Sequence, residues 1–173
     1  MEIYTDGSHS LKPRMSGVGA VILNNGKEHQ IGGYTDRCAD NNVAEVIAIA
    51  YAIKYIKDHK IVDNTKDKNI IIYSDSANAL RKIHQLSPGK DEFEQQALDF
   101  IQDFLQTTSK KVTLFQIKGH VHDGTKIAYY NNIADGLASD YRYIGLVKLQ
   151  NKLFKQSLKN KKYIIFLICR RRN

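Results

Sequence analysis

The 173-residue chain has no tryptophan and only two cysteines. Cys38 and Cys169 are too few for a disulfide framework and lack the spacing of a zinc site, so a reducing setting and a cytoplasmic location are expected. No apolar run approaches the ~20 residues that cross a bilayer. The opening Met-Glu-Ile-Tyr-Thr-Asp has neither the basic nor the apolar region of a secretory signal. No internal repeat or low-complexity tract is present. Acidic residues are missing from Lys148 onward, where nine basic residues stand against none. The first 147 residues hold 17 basic and 18 acidic residues, so the net charge of +8 belongs to the tail. A basic tail attracts polyanions, whether nucleic acid or an anionic membrane surface.

What is present is enough for one domain. Hydrophobic residues make up 42% of the chain, with 10 Tyr and 6 Phe among them, which is adequate for a core. Glu2 to Thr5 reads as a first strand, ended by Asp6-Gly7-Ser8. Gly17 to Leu23 reads as a second, whose Gly17 and Gly19 permit close backbone approach. Asn24-Asn25-Gly26 is a hairpin turn, and His29 to Thr35 returns as a third strand in which Gly32-Gly33 marks a bulge or a weak point. Asn41 or Asn42 can cap a helix over Val43 to Ile56, with Glu45 in its first turn and Val46, Ile49, Ala50, Ile53 and Ile56 on one face. Ile70 to Tyr73 is a continuous apolar run, as expected of a strand buried on both sides. Short helices follow over Ser76–Gln85 and Glu92–Gln106, then a strand over Val112–Ile117. A His-bearing loop, Lys118 to Gly124, leads to a last core helix over Ile127–Tyr143. The order βββαβααβα implies an α/β fold with a mixed sheet and a helical crossover.

The tail is open to several readings. Leu146, Leu149, Leu153 and Leu158 alternate with lysines in the manner of an amphipathic basic helix. Tyr163 to Cys169 is a run of seven apolar residues before Arg170-Arg171-Arg172. This segment can be a packed element, a basic nucleic-acid arm, or a contact for a membrane or partner.

Four carboxylates stand at informative places. Asp6 and Asp75 end apolar strand-like runs, Glu45 begins a long helix, and Asp135 lies in the final helix. Singly, each has an ordinary use: a turn, a favourable charge at a helix N-terminus, a helix cap, a solvated helix residue. Gathered together they would repel one another unless cations sat between them. Hard oxygen ligands of this kind suit Mg²⁺. Two such ions ~4 Å apart can activate water and stabilise a leaving oxygen in phosphodiester cleavage.

The chain resembles a type 1 ribonuclease H domain over about residues 1–145. The matching pieces are Tyr4-Thr-Asp-Gly-Ser8, Gly17-Val-Gly-Ala-Val21, Asn41-Asn-Val-Ala-Glu45, Tyr73-Ser-Asp-Ser76, Lys118-Gly-His120 and Asn131-Asn-Ile-Ala-Asp-Gly-Leu-Ala138. Each is weak alone, but the ordered set is specific. The resemblance implies a ribonuclease H-like fold, with a five-stranded mixed sheet in the order 3-2-1-4-5 and helices on both faces. It implies an endonuclease that hydrolyses the RNA strand of RNA–DNA hybrids by two-metal-ion catalysis, leaving 5′-phosphate and 3′-hydroxyl ends. The cofactor would be Mg²⁺, two ions with substrate, with Mn²⁺ as an alternative, and the protein a monomer.

Carried over by position, Asp6, Glu45, Asp75 and Asp135 match the metal-binding carboxylates. His120 matches the flexible-loop histidine, with His122 and Asp123 near enough to substitute in part. Asn131 matches a supporting asparagine. Asn41 matches an asparagine near the hybrid, and His9 or Ser10 is placed to approach it from the first loop.

Three departures accompany the match. Ala77 stands where well-studied bacterial members have Gln, leaving Asn78 to supply that contact. The segment between Asp75 and His120 lacks the Lys- and Trp-rich protrusion that many bacterial enzymes use as a substrate handle. The histidine loop is long, with 15 positions from His120 to Asp135. The basic residues of an extension over 146–173, Lys152, Lys155, Lys159, Lys162, Arg170, Arg171 and Arg172, are expected to supply the missing phosphate attraction. Two other classes remain open: a non-catalytic nucleic-acid-binding module on the same fold, and another nuclease or strand-transfer enzyme of the wider ribonuclease-H-like group.

Overall fold

The Asn25-Gly26 turn is where local chemistry dictates the chain path most directly. Both residues take positive φ, 51° and 73°, in the computed structural model of the protein, which describes residues 1–119, 121 and 123–160. That turn joins β2 (Arg14–Asn24) to β3 (Lys27–Thr35), and a second tight turn joins β1 (Glu2–Leu11) to β2. Two further strands, β4 (Asn69–Ser74) and β5 (Lys111–Gln116), complete one sheet in the order β3-β2-β1-β4-β5. β1, β2 and β3 are antiparallel, whereas β4 runs parallel to both β1 and β5. This is the expected topology.

Helices cover both faces. α1 (Asn41–Asp58), α3 (Ala77–His84) and α4 (Glu92–Thr107) pack on one side. Their isoleucines Ile49, Ile53, Ile56, Ile83 and Ile101 meet Ile3, Ile22, Ile70 and Ile72 of the sheet. Each such side chain contributes ~2 kcal/mol on burial. α5 (Lys126–Asn160) lies on the other face, with Ala134 beside Tyr4, Val21 and Tyr73. The backbones approach closely there. A Cβ on Gly17 would stand 1.9 Å from the Ala138 carbonyl oxygen, and one on Gly19 would stand 2.2 Å from that of Ala134.

Several expectations are corrected. β1 does not end at Asp6-Gly7-Ser8; it pairs residue for residue with β2 as far as Leu11, so Asp6 lies within the strand. Gly32-Gly33 forms no bulge, since the β2–β3 register runs unbroken through both. A Cβ on Gly32 would fall 2.2 Å from the Tyr141 ring, which explains the glycine by helix packing. α1 starts two residues earlier than expected and is capped by Asp40, whose carboxylate accepts from Val43 N–H, rather than by Asn41 or Asn42. Glu45 therefore sits at the start of the second turn. A four-residue helix, α2 (Ile61–Asn64), interrupts the connection after α1 by burying Ile61. The last helix does not stop at Tyr143: α5 continues without a break through Asn160. The segments carrying Lys162, Tyr163–Cys169 and Arg170–Arg172 lie outside the described residues, as does the side chain of Lys159.

Candidate active site

Parallel pairing sets the first half of the site. Tyr4 pairs with Tyr73 in the β1–β4 register, and Thr5 Oγ1 donates to the Tyr73 carbonyl at 3.2 Å. Continuing the same offset by two residues sets Asp6 level with Asp75, just past the end of β4. β1 runs on with β2 while β4 stops at Ser74, which opens a crevice beyond the carboxyl end of β4, the usual ligand position in open α/β sheets.

α1 brings the third group. Gly7 lets the helix press onto β1, since a Cβ there would meet Ala44 and Glu45 backbone atoms at 2.5 Å. Gly7 N–H donates to Glu45 Oε2 at 3.2 Å, and Asn41 Nδ2 approaches Glu45 Oε1 at 3.5 Å. One carboxylate oxygen from each of Asp6, Glu45 and Asp75 lies within 4.8 Å of the others. Asp6 and Glu45 are buried, and Asp75 is half-buried. Asp135, on α5, stands outside that group of three, yet its charge acts on both Asp6 and Glu45.

The electrostatic cost is visible. Burial first, then Asp75 and Asp135, pushes the Asp6 carboxyl up to about 8. Burial also holds Glu45 well above the carboxylate range, with Asp6 and Asp75 adding to it and the Gly7 N–H opposing. A protein collects buried like charges in this way where a cation or a reaction uses them. The donor set is all carboxylate oxygen, two groups buried and Asp75 half-buried, which fits a hard divalent ion such as Mg²⁺.

The RNase H family model matches residues 1–142. The chain belongs to the RNase H family. It is 30% identical over 148 residues to a ribonuclease H of Chlorobaculum parvum, covering 79% of this chain and 90% of that one. A ribonuclease H of a Thermoanaerobacter species is 28% identical over 144 residues, with 81% and 88% covered. Among solved structures, LC11-RNase H1, isolated from compost by a metagenomic approach, superposes in its complex with an RNA/DNA hybrid. The TM-score is 0.63 at 22% identity, covering 84% of this chain and 98% of that one.

The remaining residues singled out in the sequence fall into three groups. Around the carboxylates, Asn41 and Asn78 are exposed on neighbouring helix N-termini; Asn78 Nδ2 donates to Asn42 Oδ1 at 3.3 Å and Asn78 Oδ1 accepts from Arg81 at 3.0 Å. Ala77 is exposed at the first position of α3. Asn131 is buried one helical turn before Asp135, and its Oδ1 has no hydrogen-bond partner among the described residues.

Farther out, His9 and Ser10 sit in the extended part of β1, not in a loop. His9 Nδ1 is 2.7 Å from Ser16 Oγ, and its backbone carbonyl accepts from Arg142 at 3.2 Å. Burial lowers the His9 imidazole; Asp40 opposes this, while Arg14 and Arg142 add to it. Lys152 and Lys155 are exposed on α5, remote from the carboxylates along the helix.

His120 and His122 lie outside the described residues, but Gly119 does not. A Cβ on Gly119 would fall 2.2 Å from Asp75 Oδ2, so the histidine loop departs directly against the third carboxylate. Asp123 is exposed and accepts from Thr125 N–H at 2.9 Å, forming the turn that precedes α5.

Sequence reasoning gave no role at the site to Gly7, Gly119, Asn42 or Arg142. For the two glycines the signal was available in their adjacency to Asp6 and His120. Arg142 had none, because it meets His9 only through the packing of α5 on the sheet.

Proposed function

We propose that the protein is a divalent-metal-dependent endonuclease that hydrolyses the RNA strand of RNA–DNA hybrids, leaving 5′-phosphate and 3′-hydroxyl ends. The observation that carries this reading is the Asp6–Glu45–Asp75 cluster, formed at a sheet crevice in a chain of the RNase H family. The hybrid bound in the LC11-RNase H1 structure supports the substrate class.

Asp6, Glu45, Asp75 and Asp135 would hold the metal, two Mg²⁺ ions or Mn²⁺ in their place. A metal held there would supply Lewis acidity toward the phosphodiester and would lower the pKa of water. The chain's own groups prepare the site for it. Gly7 N–H and Asn41 hold the two oxygens of Glu45, so the carboxylate meets the crevice in one orientation. Burial of Asp6 and Glu45 excludes water from one side of the cluster and strengthens every charge interaction within it. His120, carried by the loop that starts against Asp75, is assigned to handling the attacking water or the departing product. Asn131 supports Asp135 from the preceding turn.

Telling RNA from DNA requires donors or acceptors at the 2′-hydroxyl. Asn41, Asn78 and their neighbour Asn42 form a shelf of amides beside Glu45 that can serve a minor groove, and His9 and Ser10 of β1 are further candidates for that contact.

The test is cleavage of a labelled RNA–DNA hybrid with Mg²⁺, Mn²⁺ or EDTA, beside single-stranded RNA, double-stranded RNA and double-stranded DNA. Metal-dependent cutting of RNA in the hybrid alone is expected, with a loss of at least ~100-fold in Asp75→Asn. Cutting of duplex DNA would move the assignment to another nuclease of the fold. No cutting by the folded, metal-supplied protein would leave a nucleic-acid-binding module.

A further inference from the structure

α5 meets the sheet along one line of residues. Ala134 lies over Gly19, Ala138 over Gly17, Tyr141 over Gly32, and Gly145 over Met15 and Tyr34. These contacts follow a spacing of four, three and four residues. The same alternation carried onward falls on Lys148, Lys152 and Lys155. Lys148 reaches the last residues of β3, the row then leaves the sheet, and all three lysines are exposed. The line that is small or aromatic where strands lie beneath it becomes a row of cations as it leaves them.

Two features give this row a direction. Its first members face back toward the end of the sheet: Lys148 Nζ lies 5.0 Å from the Tyr34 ring centre, and Lys148 and Lys152 line a groove of about 320 Å³ with Met15, Tyr34, Asp36 and Gly145. That end is where β1 and β2 run past β4, so it is the end on which the carboxylate crevice opens. Asp36 is the acidic residue lining the groove. From Lys148 to the C-terminus the sequence has no other acidic group to neutralise the row.

We propose that the overhanging part of α5 is a second nucleic-acid contact, in which Lys148, Lys152 and Lys155 engage the phosphodiester backbone of a duplex held at the carboxylate crevice. This rests on the hybrid-cleavage reading for the identity of the duplex, but not for the contact itself. Lys148 to Lys155 spans ~10 Å of helix axis. That matches about three phosphates of one strand at ~3.4 Å per step. Asp135 and the lysine row share one unbroken helix, so the row lies ~20–30 Å from Asp135 along its axis. The overhang is a ruler: it reaches a duplex only about 6–9 base pairs from the point of cleavage. The competing occupant is an anionic membrane, because Leu153 and Phe154 are 54% and 62% exposed beside the row. Charge complementarity and the shared direction with the crevice favour nucleic acid.

The experiment compares the full chain with Lys148→Gln/Lys152→Gln/Lys155→Gln. The control is Lys54→Gln/Lys57→Gln/Lys66→Gln, which removes equal charge from the opposite end of the molecule. Binding of fluorescent hybrids and all-DNA duplexes of about 6, 12 and 18 base pairs is measured by anisotropy across a salt series. A loss of ~10-fold on the two longer duplexes, a salt slope flatter by about 2–3, and no loss on the shortest are expected for the overhang variant alone. An equal loss at every length, or the same loss in the control, overturns the ruler. So does unchanged binding and salt slope. Unchanged duplex binding together with lost sedimentation on phosphatidylserine vesicles would assign the row to a membrane. All-DNA duplexes report the contact whether or not the chain cleaves hybrids, so its failure is separable from failure of the hydrolase reading. Should the triple variant misfold by circular dichroism, Lys152→Gln alone is read for the same length dependence.

Discussion

Asp6 shows what the site costs the molecule at the scale of one residue. Its carboxyl, pushed up to about 8, binds a proton in the folded state at pH values where an unfolded carboxyl near 4 has lost it. The native state therefore holds more protons than the unfolded state across about pH 4–8, and stability falls as pH rises through that window. Glu45 acts in the same sense. Glu2 and Asp40 have lowered values and act below that range, where acid removes their contribution. The metal-free protein should accordingly melt at a lower temperature at pH 8 than at pH 5, with Mg²⁺ restoring much of the difference at pH 8. A melting temperature that rises between pH 5 and pH 8 without metal would contradict this. Asp6→Asn removes one member of the repelling group. It should raise metal-free stability at pH 8 by on the order of 1–3 kcal/mol while abolishing hybrid cleavage. Calorimetry and the cleavage assay report the two effects separately.

At the scale of elements, the helices on the α1 side are tied by a charge that sequence patterning did not reveal. Glu94 is fully buried at the start of α4, where both its oxygens meet Lys82 Nζ of α3, at 2.6 and 2.7 Å. Nothing in the sequence marks Glu94, since Phe93, Ala97 and Ile101 account for the apolar face of the helix without it. Truncating its partner leaves a buried carboxylate without its cation. Lys82→Ala should cost about 3–5 kcal/mol in urea unfolding, whereas Lys54→Ala, in an exposed pair with Asp58, should cost less than ~0.5 kcal/mol. Equal effects of the two would show that the Glu94 pocket relaxes or hydrates. Element boundaries were legible where local chemistry set them, as at Asn25-Gly26 and at the isoleucine run of β4. They were misread where pairing overrode it. Asp6-Gly7-Ser8 has turn composition, yet it stays extended because β2 supplies a partner for every residue to Leu11.

At the scale of the whole molecule, charge is divided between a nearly neutral body and a basic C-terminal part. Among the described residues no helix is long and apolar enough to cross a membrane. Ending the chain after residue 147 removes every basic residue of that part and leaves all four carboxylates in place. We expect it to weaken hybrid binding at low salt and flatten the salt dependence, read by anisotropy, with cleavage surviving at saturating hybrid. Unchanged affinity and slope would show that the body alone holds the nucleic acid.

The sequence by itself determined the strand order and every helix but α2, through periodicity and turn chemistry, and the 3-2-1-4-5 sheet through its resemblance; it also marked the four candidate carboxylates by their places and short ordered motifs. Only the tertiary structure decided how they meet. The β1–β4 register brings Asp6 level with Asp75, and the absence of a side chain at Gly7 lets α1 carry Glu45 onto them. Gly17, Gly19 and Gly32 admit α5 so closely that the charge of Asp135 acts on Asp6 and Glu45 and the helix continues beyond the strands. Those are relations between residues distant in the chain. They arise from the packing of backbones against each other, which no local pattern encodes.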